Sequence, residues 1–325
     1  MLPIGRTRRM KDVDVSYNFN LAKVLSILMV VAGHYFGGIL WIPTTFALFV
    51  FAFSSGYFTS RKYQADFSLK RFWEAKIVRL SYPILVIDAF LLALFLFRGE
   101  SGLSSWQTIP ALLGLSGFLT WFGLGNPSPF GAGLWFFTLL LIFYAVYPLL
   151  ARINSRRPLA LAFLLGCLMA ASILHYRVEV GHSLWLTAFA FVLGAYAGRY
   201  GIGIGPKWGI ALVFPACALL VGLNWGLGFN LLNYFFILIA SFGIVVFLLG
   251  GRLPKRFFGK FLLLSGCIIQ IYFIHTYLFL HGVTGRPVLD FAVSMALIVG
   301  CALLLEKVTS CLRAGMQRFS GRRAI

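Results

Sequence analysis

Residues 19–40 read FNLAKVLSILMVVAGHYFGGIL, an apolar run that nonetheless carries Lys23 and His34. About 20 consecutive apolar residues cross the hydrocarbon core of a bilayer, and an ionisable group inside such a run is costly enough to be a functional candidate. The next stretch, IPTTFALFVFAFSSGYF over 42–58, is again apolar and carries no charge. The first run lacks the short apolar core and small-residue cleavage site of a signal peptide and passes directly into the second, so it reads as a retained span.

Outward from this pair, apolar stretches recur at 80–97, 133–151, 158–176, 184–198, 208–224, 229–250, 261–281 and 288–306, separated by short Arg, Lys, Gly and Pro clusters. With 60% hydrophobic and 11% charged residues and a mean hydropathy of +0.89, the chain does not read as a soluble domain. The expected fold is all-α: a polytopic integral membrane protein of about ten transmembrane helices, with a basic tail over 1–18, a membrane domain over 19–306 and a second basic tail over 307–325. The first tail is expected to be mobile and without chemistry, and the chain is expected to end without a further domain after the last span.

The net charge of +19 would suggest a nucleic-acid partner in a soluble protein. In a membrane protein its distribution instead sets orientation. With loops assigned alternately to two faces, only Arg98, Arg177 and Arg286 fall on one, Lys23 lies within the first span, and the remaining Lys and Arg residues collect on the other. The basic face and both termini are therefore expected in the cytoplasm, and no nucleic acid is expected. The apolar stretch 106–123 is left over on the outer side; Pro110, Gly114, Gly117 and Gly123 suit a re-entrant or interfacial segment better than a span. Eleven spans are the alternative. The five cysteines are isolated, without zinc or redox spacing, and read as packing residues.

Lys23 and His34 are eleven residues apart, just over three helical turns, so they share one face at a rise of about 16 Å. The ordinary alternative is a snorkelling lysine and a hydrogen-bonded histidine. The inner loop TSRKYQADFSLKRFWEAKIVRLSYP ends in Lys76 and Arg79, one turn apart. Such a pair can clamp a phosphate by charge-assisted hydrogen bonds; plain positive-inside charge accounts for most of the loop. Asp88, Gln270 and His275 are further polar groups within spans. His275 lies fourteen residues beyond Phe261 and His34 fourteen beyond Asn20, which places both imidazoles at similar depth if the helices are straight. His175, His182 and His281 fall at outer span edges and read as solvated.

These residues resemble the membrane-bound acyltransferase 3 family. The first helix of that family carries a basic residue, ten intervening positions and a histidine, which Lys23 and His34 fit; its second ends in a Phe-rich Ser-Gly-Tyr motif, here FVFAFSSGYF ending at Phe58. A basic pair three residues apart follows, here Lys76 and Arg79 of KIVRLSYP where Arg is usual at both. A Trp-containing motif opens the fourth helix, here LWFFTLLLIFYAVYPLL with Trp135, and YFIHTYL looks like the family's Tyr-x-x-His segment. Where many members carry an acid before the Phe-rich segment, this chain has Phe49.

The resemblance implies an enzyme that takes an acyl group from cytosolic acyl-CoA, acetyl-CoA foremost, with no permanently bound cofactor and no metal. His34 would be the general base or, less in keeping with the reading, an acyl carrier; Lys23, Lys76 and Arg79 would hold the donor phosphates, and Trp135, Gln270, His275 and Asp88 would support the site or the acceptor. The acceptor implied is a glycan or lipid-linked saccharide in contact with membrane lipids, and compact loops favour a bacterial inner membrane. A multi-span transporter and a non-catalytic partner in polysaccharide assembly are the alternatives; no pair of Gly/Pro-broken helices or internal repeat is evident from the sequence to favour the first.

Overall fold

The computed structural model describes residues 4–63, 67–178 and 183–319, and every regular element among them is helical. Hydrocarbon offers the backbone no hydrogen-bond partner, so a chain this apolar must satisfy its N–H and C=O groups within each segment. In chain order the helices are α1 (Ile4–Phe36), α2 (Trp41–Lys62), α3 (Leu69–Arg98), α4 (Thr108–Leu112), α5 (Ser116–Trp121), α6 (Trp135–Ile153), α7 (Arg157–Arg177), α8 (Leu184–Tyr200), α9 (Pro206–Val221), α10 (Asn233–Gly250), α11 (Lys255–Phe258), α12 (Ile268–Ile274) and α13 (Pro287–Phe319).

Among the described residues eight helices, α1, α2, α3, α6, α7, α9, α10 and α13, are long and apolar enough to cross a membrane. The pair Lys255–Gly266 and Ile268–Tyr277, bent by 64°, has the length and apolar character of a broken span or a re-entrant loop. Helix α8, with 17 residues, rises roughly 26 Å at 1.5 Å per residue, a little less than a core of about 30 Å, and is the tenth helix expected from sequence. The chain is an integral membrane protein. Residues 4–18, read from sequence as a tail, continue α1 without a break: Asn18 donates from Nδ2 to the carbonyls of Leu248 (2.9 Å) and Gly251 (2.8 Å), fixing α1 to the end of α10. His182 lies outside the described residues.

The chain divides into two compact units, one of residues 1–67 and 145–265 and the other of residues 68–144 and 266–325. In the first unit α2 packs along α8 and α9 along α10. Small residues make both approaches possible, since helices in lipid associate largely by close packing. A Cβ on Gly56 would lie 2.8 Å from the backbone nitrogen of Ala195, one on Gly194 would lie 2.8 Å from the Phe53 carbonyl carbon, and Gly209 and Gly243 face each other in the same way. Gly37 (φ 62°) and Gly38 (φ 55°) turn the chain from α1 into α2, a left-handed backbone that only glycine adopts cheaply.

In the second unit α3 packs on α12 and α13, burying the stripe Phe72, Lys76, Leu80, Pro83, Ile87, Leu91 and Phe95 at three- and four-residue steps. The segment 106–123 forms only the two short helices α4 and α5, far too short to span. It is held against α6: Thr138 Oγ1 donates to the Gly114 carbonyl (2.8 Å) and accepts from the Gly117 N–H (2.9 Å). Two of the glycines that argue against a span, Gly114 and Gly117, let this segment approach α6, for a Cβ at Gly117 would meet the Thr138 side chain at 2.8 Å.

Candidate active site

Helix α1 is unbroken from Ile4 to Phe36, so Lys23 and His34 lie on one face, as their spacing requires. Phe19, Ile27 and Val30 on that face are buried, whereas Leu25, Met29 and Phe36 on the opposite face are exposed. The half-buried lysine therefore lies among buried neighbours. His34 sits in the last turn of α1 and is exposed, three residues before the Gly37–Gly38 turn.

The Phe-rich motif of α2 builds the surroundings of Lys23. Phe19, Phe53 and Tyr57 form a stack, with centroid separations of 5.7 Å for Phe19–Phe53 and 5.8 Å for Phe19–Tyr57, and Phe58 stands edge-on to both Phe19 and Tyr57. Lys23 Nζ lies 5.8 Å from the centre of the Phe58 ring, in the range of a cation–π contact. Arg61 Nη1 donates to the Tyr57 hydroxyl at 3.2 Å. Tyr147 donates to the Thr59 carbonyl at 3.3 Å, and Arg199 of α8 lies within electrostatic reach of Tyr147. Lys23, Arg61 and Arg199 thus come from three helices to the aromatic residues at one end of α2. Phe49, where many members of the resembling family carry an acid, is fully buried, so hydrocarbon occupies the place of that charge.

The other residues singled out from sequence lie in the second unit. Lys76 belongs to the buried stripe of α3, with Nζ 3.8 Å from the Tyr144 ring centre and 5.4 Å from that of Phe72, while Arg79 beside the stripe is exposed. The two cations, one turn apart, face different surroundings. Asp88 is half-buried on α3.

His275 is fully buried, and its Nδ1 lies 2.7 Å from the Tyr272 carbonyl. A carbonyl only accepts, so Nδ1 is the donor of this pair. The Tyr272 hydroxyl donates to the Gly133 carbonyl (2.7 Å), and its ring meets Phe136, which is edge-on to the buried Trp135. Trp135 and His275 are therefore brought into one aromatic cluster. Gln270 donates to Glu306 Oε2 at 2.6 Å, and Glu306 also accepts from Ser310 at 3.1 Å. The bend of 64° and the 3-10 turns of Gly259–Gly266, which rise about 2.0 Å per residue, mean that counting along a straight helix does not give the depth of His275.

Sequence reasoning missed Arg61, Arg199 and Glu306. In the sequence the first two look like ordinary inner-face charge, and Glu306 lies at the end of a span, where an acid inside an apolar window is the available signal. His175, expected to be solvated, is half-buried with its ring 4.5 Å from that of Tyr234, whereas His281 is exposed. No group of three metal-ligating side chains occurs among the described residues.

A family model described as an acyltransferase domain matches residues 16–307. No curated protein and no solved structure matches the chain.

Proposed function

The chain belongs to the acyltransferase 3 family of membrane enzymes, and on that ground we propose that it transfers an acetyl group from cytosolic acetyl-CoA to a hydroxyl of an extracytoplasmic or lipid-linked saccharide, with His34 as general base. The observation that carries this reading is the shared face of α1 on which Lys23 and His34 stand, on one unbroken helix, about 16 Å apart along its axis. An extended pantetheine arm is of the same order, so the thioester reaches His34 while the nucleotide phosphates stay at the inner surface.

Lys23, Arg61 and Arg199 supply the charge for those phosphates, the arginines through planar, multi-donor groups suited to phosphate oxygens. Lys76, seated on the Tyr144 ring, serves mainly to hold α3 to the middle of α6, and Arg79 is the exposed member of that pair. In the chemical step the neutral His34 imidazole takes the proton from the acceptor hydroxyl as its oxygen attacks the thioester carbonyl. That attack forms the ester C–O bond; collapse of the tetrahedral centre restores the carbonyl and breaks the C–S bond, and the thiolate leaves with the proton returned by the imidazolium. The enzyme resides in a bacterial inner membrane with both termini cytoplasmic. Incubation of the purified chain with acetyl-CoA and methyl glycosides tests this reading: acylated glycoside and an equal amount of released CoA thiol are expected. Absence of both under conditions where the protein stays folded would refute it.

A further inference from the structure

A cleft of about 150 Å³ opens in the first unit, lined by Ile39, Trp41, Ile42, Val221 and Asn224. It lies where the chain leaves α1 and enters α2, the same end of the unit as His34. Trp41 is 43% exposed, unusual for an indole unless its face is offered to lipid or to a ligand. Asn224 sits in a π-helical turn, Gly222–Gly226, a widened turn frequent at functional positions.

The amide of Asn224 is held in one orientation. Its Nδ2 donates to the Leu220 carbonyl (2.7 Å) and to Asn233 Oδ1 (2.6 Å), and its Oδ1 accepts from Asn233 Nδ2 (2.9 Å). A carbonyl partner requires the nitrogen on that side, so the amide cannot be flipped, and both of its hydrogens are used. What Asn224 still offers is one lone pair on Oδ1. The rest of the lining is an indole and three aliphatic side chains, with no charged group.

A fixed acceptor beside an accessible aromatic face suits a neutral ligand with a C–H face and hydroxyl donors; an alkyl chain has no use for the acceptor, and an ion finds no counter-charge. The volume is below the roughly 300–1,000 Å³ of drug-sized sites, room for one ring rather than an oligosaccharide. We propose that this cleft binds a single neutral hexose unit, stacked on Trp41 with a ring hydroxyl donating to Asn224 Oδ1, as the acceptor subsite of the enzyme. This rests on the saccharide-acceptor reading above.

The test is saturation-transfer NMR on the full chain in lipid nanodiscs with methyl β-glucoside, methyl β-galactoside and methyl N-acetyl-β-glucosaminide. It is paired with acetyl transfer from acetyl-CoA to the same glycosides. At least one should bind saturably, strongest at its ring C–H protons; Trp41→Ala should weaken it tenfold or more, and Trp41→Phe by less than threefold. Trp41→Ala should raise the acceptor KM similarly while leaving acetyl-CoA binding unchanged, which also shows that the variant is folded. Binding and transfer unaffected by Trp41→Ala would overturn the cleft and leave the acyltransferase reading standing. Trp41-dependent binding without transfer to any glycoside would overturn the assignment of the cleft as an acceptor subsite. Absence of binding by all three glycosides would overturn the proposal.

Discussion

Replacing Gly194 by alanine is expected to separate α2 from α8 and to cost about 3 kcal/mol. The new Cβ would lie 2.8 Å from the Phe53 carbonyl carbon and 3.0 Å from its Cα. Neither is the end of a flexible side chain, so restoring ordinary contact means moving a helix backbone by roughly 0.5–1 Å. A gap of that size forfeits a quarter to a half of each contact's dispersion energy, along an interface that buries much of one face of α2. Overpacking of this kind costs about 1–3 kcal/mol, and two backbones that cannot yield put the value at the upper end. Gly166→Ala is the matched control: it lies within α7 with open space around its Cβ and should stabilise by up to about 1 kcal/mol through helix propensity alone. Thermal melts of the two variants in one detergent, followed by tryptophan fluorescence, give the comparison. Gly194→Ala should melt at least about 5 °C below wild type, and Gly166→Ala at or above it. Coincident melts for the two variants would refute the account of how α2 and α8 are joined.

Other substitutions read the polar groups. Tyr144→Ala removes the ring 3.8 Å from the Lys76 ammonium, a cation–π contact of up to about 2 kcal/mol, together with the packing of a buried aromatic side chain, and should cost about 3–5 kcal/mol in all; combined with Lys76→Met it should cost less than the sum of the two single changes, as a double-mutant melt would reveal. Gln270→Leu removes the 2.6 Å donor to Glu306 and should destabilise by about 1–3 kcal/mol, a loss that adding Glu306→Gln should not deepen. Arg61→Ala and Arg199→Ala should each raise the KM for acetyl-CoA about tenfold with kcat nearly unchanged, the pattern of lost donor binding; a fall in kcat alone would argue against a phosphate role.

Span number, the non-spanning character of 106–123 and the shared face of Lys23 and His34 were legible because each follows from hydropathy or helical period, which the sequence carries directly. Tertiary partners were not. Lys76 and Arg79 look alike in the sequence, yet one falls on the buried stripe of α3 and the other beside it, a difference set by the Tyr144 ring across from it. Arg61 and Arg199 were hidden by their company, since positive-inside charge makes every inner-face cation look generic until the fold brings some of them to one set of tyrosines. The bend after Gly266 escaped because hydropathy does not register 3-10 geometry. Residues 4–18 read as a tail for want of apolar character, although Asn18 ties their helix to the end of α10.

The central claim, that His34 performs the proton transfer, is tested most directly by comparing wild type with His34→Ala in steady-state acetyl transfer, with melting temperature and acetyl-CoA binding measured on the same preparations. Loss of a general base predicts a fall in kcat of about 10²–10⁴, with both controls unchanged. A folded His34→Ala enzyme that retains kcat within a few-fold of wild type would contradict it.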